Sequence, residues 1–111
     1  MVTMTLREVC DMVGVTRRTV QCYEQAGLVA STGRNKYGYL LYDEEAVKRI
    51  RNIKMYQHFG FALKDIKVLL SVSKEEYVEL MSKKLADMKE KLIELEANVT
   101  KMEGIIAEKQ K

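Results

Sequence analysis

Nine apolar residues in the last third of the chain alternate strictly by three and four positions: Val78, Met81, Leu85, Met88, Leu92, Leu95, Val99, Met102 and Ile106. That spacing is the a/d seam of a heptad repeat, and charged residues occupy most of the positions between. Ser73 followed by Glu76 forms a capping box that opens the helix, which then runs to about Lys109. A helix of this length measures roughly 54 Å at about 1.5 Å per residue. The rest of the chain is too small to cover such a seam, so a partner helix must bury it. A second copy of the chain is the simplest supply, which makes a homodimer the expectation. Charge leaves the orientation open. An antiparallel pairing matches Lys89 with Glu103 but sets Glu96 beside its own copy; a parallel one matches Lys91 with Glu96 but opposes Lys84 to Lys89.

The 71 residues before this helix read as one compact head, giving two expected units at 1–71 and 72–111. Thr5-Leu6-Arg7-Glu8 is a second capping box, and Leu6, Val9, Cys10 and Val13 then share one helical face. Gly14 stops that helix, Val15 turns inward, and Thr16 caps another helix that ends near Gln25, before Ala26-Gly27. Two short helices around a glycine-containing turn form a helix-turn-helix pattern. Leu28-Val29-Ala30 and the aromatic run 37–42 flank a polar stretch, 31–36, and this predicts a β-hairpin with Arg34 and Lys36 at its tip. A basic hairpin placed directly after a helix-turn-helix is what a wing looks like. Asp43 caps a third helix reaching about Phe59, with Ala46, Val47, Ile50, Ile53 and Tyr56 inward. A fourth covers about 63–70 and buries Leu63, Ile66, Leu69 and Leu70. The fold class is therefore mainly α, with a small β-hairpin wing and a long C-terminal dimerisation helix.

Charge follows the same division. The first 71 residues hold 11 Lys/Arg against 7 Asp/Glu, whereas the remainder hold 8 against 9. The positive excess lies wholly in the head, where an anionic partner such as DNA would need it. No apolar run is long enough to span a membrane, and no secretory leader pattern stands at the N-terminus. Two cysteines, Cys10 and Cys22, make no disulfide framework and fit a reducing compartment, so the cytoplasm, in association with the nucleoid, is the expected location. No nucleophile–base pair or phosphate-cradling glycine loop stands out, and an enzyme is not expected. Nor is a cofactor. Two lone thiols are too few for a metal site, so both cysteines are read as small buried apolar residues. His58 has no companion and reads as a helix-end surface residue.

These stretches, in their order and spacing over residues 5–70, resemble the mercury-resistance regulator (MerR) family of bacterial transcription factors. The resemblance is carried by Thr5-Leu6-Arg7-Glu8-Val9, by Gly14-Val15-Thr16-Arg17-Arg18-Thr19-Val20 and by Tyr23-Glu24-Gln25-Ala26-Gly27-Leu28. It continues through Tyr37-Gly38-Tyr39-Leu40-Leu41-Tyr42 and Gly60-Phe61-Ala62-Leu63-Lys64-Asp65-Ile66, with the coil following where the family places one. The resemblance implies a winged helix-turn-helix dimer held by an antiparallel coiled coil. It also implies recognition helices in two major-groove half-sites of a pseudo-palindromic promoter operator. Family members distort the DNA between half-sites and so realign promoter elements for RNA polymerase, a mechanism that exploits deformability. A separate effector domain has no room within these 111 residues, so the resemblance is to a short form without one.

Contact with double-stranded DNA is accordingly assigned to Thr16, Arg17, Arg18, Thr19, Gln21 and Tyr23 on the recognition helix, and to Arg34, Lys36, Tyr37 and Tyr39 on the wing. Arginine suits guanine edges and phosphate, and glutamine suits adenine. Tyr42 reads as core. Several positions depart from the family's usual pattern. Gln21-Cys22-Tyr23 stands for Arg-Tyr-Tyr, Leu40 for the arginine of Gly-Tyr-Arg, Ser31 for a proline, Ala62 for a Ser/Thr cap, and Gln57 for a residue that is often basic. Three of these remove positive charge near phosphate, and each lost contact should flatten the salt dependence of binding. They motivate an alternative: a dimeric protein–protein interaction module with a MerR-like head that has lost specific DNA binding.

Overall fold

The computed structural model describes residues 3–111. Eight elements follow in order: β1 (Thr3–Thr5), α1 (Leu6–Val13), α2 (Arg17–Gln25), β2 (Gly33–Arg34), β3 (Leu40–Asp43), α3 (Glu44–His58), α4 (Leu63–Leu69) and α5 (Lys74–Lys109). They divide into two compact units, the first ending at Ser71 and the second running from Val72 to Lys111.

Side-chain caps set most of the helix starts. Thr5 and Glu8 form the reciprocal box at α1, while Thr16, Asp43 and Ser73 each accept the backbone N–H three residues on. Ala62 offers α4 no such bond. The first unit closes around a core drawn from every helix in it. Val9 and Val13 come from α1, Val20 and Tyr23 from α2, Tyr42 from β3, Ile50 and Ile53 from α3, and Ile66 and Leu69 from α4. Lys54 of α3 reaches back to the end of α1, donating from Nζ to the carbonyls of Val13 at 2.9 Å and Gly14 at 3.3 Å. This fixes the turn of the helix-turn-helix on the helix behind it and satisfies carbonyls that the end of α1 leaves unpaired.

The sheet differs from the expected hairpin in two ways. It has three strands in the order β1-β3-β2, both pairings antiparallel, with Thr5 opposite Leu41 and Arg34 opposite Leu40. The extra strand is the segment before α1. In addition, Leu28-Val29-Ala30 forms no strand; the wing's first strand is Gly33–Arg34 alone. The end of α2 explains this. Gly27 adopts φ +73°, the left-handed conformation that only glycine takes without strain. That reversal lets Leu28 N–H bond the Tyr23 carbonyl and Gly27 N–H bond the Glu24 carbonyl, each at 3.0 Å. The pair is a Schellman closure, which draws the following apolar residue against the helix. Leu28 and Val29 are buried there, and the Leu28 carbonyl accepts from Arg49 Nε.

The second unit is the single helix α5, 36 residues long, with no buried residue of its own. Apart from half-buried Met81, the heptad positions are 41–63% exposed, and Ile93 and Ile105 lie exposed outside that seam. No helix among the described residues is long and apolar enough to cross a membrane.

Candidate nucleic-acid interface

The start of α2 is exposed and carries two adjacent arginines. Thr16 is its N-cap, accepting from Thr19 N–H at 3.1 Å and sharing a hydrogen bond with the Thr19 hydroxyl at 2.8 Å. These two threonines therefore secure the first turn, and their side chains are engaged with each other. Arg17, Arg18 and Gln21 are exposed. The unpaired N–H groups of a helix start add partial positive charge beside the two arginines, which favours anions.

Further along α2 the side chains turn to the core. Tyr23 is only 1% exposed, and its hydroxyl donates to Gln57 Oε1 of α3 at 2.6 Å. Burial raises its pKa above the ordinary value. The ring assigned to contact is thus packed inside, with only the hydroxyl near the rim. Tyr42, read as core, is fully buried and donates to the Glu24 carboxylate. The two cysteines part company: Cys10 is half-buried, but Cys22 is exposed, which corrects its reading as a buried residue. Cys22 lies between the outward Gln21 and the inward Tyr23, on the flank of the helix. His58 is exposed in the last turn of α3.

The wing is held by one residue that sequence reasoning passed over. Asn35 Oδ1 accepts from the backbone N–H of Tyr37 at 2.9 Å and of Tyr39 at 3.0 Å. Asn35 N–H donates to the Tyr39 carbonyl and its own carbonyl accepts from Gly38 N–H, both at 3.0 Å. Gly38 supplies the positive φ, +82°, that closes this loop. An asparagine between basic residues reads as a generic turn former; its double acceptor role appears only once the loop is closed. Arg34 is fixed as well, its guanidinium donating to the Gly38 carbonyl at 2.7 Å. Lys36 sits over the Tyr37 ring at 5.1 Å, and Tyr37 and Tyr39 are 70% and 64% exposed. Exposed aromatics on a pre-formed loop can lie along a sugar-phosphate backbone with little ordering cost.

Between α2 and the wing lies an open cleft of about 510 Å³, lined in part by Arg7, Arg17, Gln21, Arg34, Tyr39 and Leu40. Four of the assigned residues, Arg17, Gln21, Arg34 and Tyr39, are thereby brought onto one feature from separate elements. Arg18, Lys36 and Tyr37 lie outside its lining, as does Tyr23, which is buried and bonded to the exposed Gln57. Arg7 is the addition. Its place in the cleft depends on β1 pairing with β3, which sets the start of α1 beside Leu40 and Leu41. A three-residue strand leaves no periodicity to find. Among the described residues no group of His, Cys, Asp or Glu could hold a metal ion.

A family model described as "MerR HTH family regulatory protein" matches residues 4–72, and a second, "MerR, DNA binding", matches residues 47–105. A mercuric resistance operon regulatory protein of Bacillus cereus is 38% identical over 65 residues, which is 59% of this chain and 49% of that relative. The match thus spans about half of the relative's length. A MerR-family transcriptional regulator from Bacillus cereus has a similar structure, with a TM-score of 0.82 at 18% identity, covering 99% of this chain and 84% of that one. So has HiNmlR, a MerR-family regulator lacking the sensor domain, whose crystal structure is bound to promoter DNA: TM-score 0.73 at 22% identity, covering 88% and 79%. At these identities the two structures establish the fold. The matched family is one of regulators, not of enzymes. With the family model running from β1 to the end of α4 over the helix-turn-helix and the wing, the chain belongs to the MerR family of helix-turn-helix regulatory proteins.

Proposed function

We propose that the protein is a sequence-specific DNA-binding transcriptional regulator that binds a pseudo-palindromic promoter site as a homodimer and distorts the DNA between half-sites. One observation carries this reading: the cleft that joins Arg17 and Gln21 of α2 to Arg34 and Tyr39 of the wing. Its chemistry suits a double helix gripped at two places. Arg17, Arg18 and Gln21 enter the major groove from the exposed start of α2 and meet base edges and nearby phosphates. Arg34, Lys36, Tyr37 and Tyr39 hold the flanking backbone, which sets register and carries no sequence information. Thr16 and Thr19 fix the first turn, and Tyr23 with Gln57 fixes the far part of α2 against α3. The promoter DNA in the HiNmlR structure supports the same use of this fold.

Dimerisation belongs to α5. Its seam of Val78, Met81, Leu85, Met88, Leu92, Leu95, Val99, Met102 and Ile106 is largely open in the single chain. A matching helix from a second copy would bury it, antiparallel as the family pattern implies. Two heads on one coil read two half-sites, and RNA polymerase is the machinery that the realigned promoter would serve. The compartment that goes with this role is the cytoplasm.

The uncharged Gln21, Leu40 and Gln57 keep the interaction-module reading in play. Titration against duplex DNA at several salt concentrations separates the two. A regulator binds with affinity that falls steeply as salt rises. A module without DNA binding gives a flat baseline even at low salt. Recovery of bound DNA across the genome would then give the operator and its spacing in the promoter.

A further inference from the structure

We propose that Arg7 is a further phosphate-binding residue, completing with Arg17 and Arg34 a cleft of three guanidinium groups that clasps the DNA backbone between recognition helix and wing. The proposal rests on the DNA-binding reading above and adds to it a residue from α1. Three elements converge on the cleft: Arg7 from the first turn of α1, Arg17 from the first turn of α2, and Arg34 from β2. Leu40 and Tyr39 supply an apolar flank. Such a wall lowers the local dielectric and strengthens the attraction of the cations for an anion between them.

The three arginines are available. Among the described residues no carboxylate lies within ion-pair distance of any of them. The acidic neighbour of Arg7, Glu8, is committed elsewhere, its carboxylate accepting from the backbone N–H and the hydroxyl of Thr5, each at 3.1 Å. Arg34 spends one donor on the Gly38 carbonyl, which orients its guanidinium and leaves further N–H groups free. An anion that enters the cleft meets three positive side chains, and guanidinium groups give charge-assisted hydrogen bonds to phosphodiester oxygens. Because the contact is to backbone, Arg7 adds affinity on any sequence and does not read bases.

The test measures binding of the full chain to a mixed-sequence duplex between about 50 and 200 mM salt. Wild type is compared with Arg7→Gln, Arg7→Lys and Arg17→Ala. Arg7 is exposed, so its replacement leaves the core intact, and far-ultraviolet circular dichroism checks this. Arg7→Gln is expected to bind several-fold more weakly on every duplex, with the log–log salt slope shallower by about 0.9 per head. Arg7→Lys should recover that slope. Wild-type slope and affinity in Arg7→Gln, with Arg17→Ala still weakened, would overturn the role of Arg7 and leave the interface reading standing. Absence of salt-dependent binding by wild type would overturn both.

Discussion

The Tyr23 hydroxyl donates to Gln57 Oε1 at 2.6 Å, so the recognition helix is tied to α3 by a side-chain hydrogen bond across 34 residues of sequence. One partner is buried and the other exposed, which makes the bond a strut between core and rim. A lone Tyr23→Phe or Gln57→Ala should cost about 0.5–1.5 kcal/mol of stability, the usual worth of a neutral hydrogen bond. In the double variant the costs should fall short of additivity by about that amount, measured by urea unfolding at one protein concentration. Additive losses would mean that the bond contributes nothing.

Asn35 organises the wing through two accepted N–H bonds. Asn35→Ala should speed hydrogen exchange at the Tyr37 and Tyr39 amides and weaken DNA binding roughly tenfold, the size of about one lost anchoring interaction. The exchange of the α3 core should stay unchanged, since the wing tip is exposed. Unaltered exchange at both tyrosine amides would remove Asn35 from this role.

Leu92 lies in the middle of the open α5 seam, and Ile93, its neighbour, lies off it. If a second copy buries the seam, Leu92→Ala should weaken self-association by about 2–5 kcal/mol per copy. Ile93→Ala should stay within about 0.5 kcal/mol. Sedimentation equilibrium reads both. Equal effects at the two positions would argue that the heptad seam is not the interface.

Burial of Tyr42, reinforced by its hydrogen bond to Glu24, holds its phenol pKa above the ordinary value of 10.0. The folded state thus resists ionisation that the unfolded chain permits. The resulting stability is complete below pH 10 and is lost as pH rises beyond it. Tyr23 contributes in the same direction. Tyr42→Phe cannot ionise and should therefore show a weaker alkaline decline than wild type, followed by unfolding midpoints from pH 8 upward. The two declines would coincide if Tyr42 ionised equally easily in both states.

Helix boundaries were legible because caps are local chemistry: Thr5 with Glu8, Thr16, Asp43 and Ser73 all sit where their spacing places them. The α3 core face was legible for a related reason, since Ala46, Val47, Ile50, Ile53 and Tyr56 keep a helical period and are all buried. What escaped was decided by tertiary closure. Leu28 and Val29 look like a strand but are captured by the end of α2. Thr3–Thr5 is too short to announce itself, yet its pairing with β3 carries Arg7 into the cleft. The family likeness gives the Tyr23 hydroxyl a contact with DNA, while the ring is buried and the hydroxyl bonds Gln57 of α3. Cys22 has the polarity of a buried residue but falls on the outer flank of the same helix. The candidate cleft was thus legible in its recognition-helix and wing arginines, Arg17 and Arg34, and not in the elements that bring them together.

If the cleft between α2 and the wing grips DNA, duplex binding depends strongly on salt. With three or more cationic contacts per head and two heads, affinity should fall with a log–log slope of about −5 or steeper. Arg17→Ala and Arg34→Ala should each make that slope shallower. A slope near zero for wild type, or one that neither substitution changes, would contradict the account.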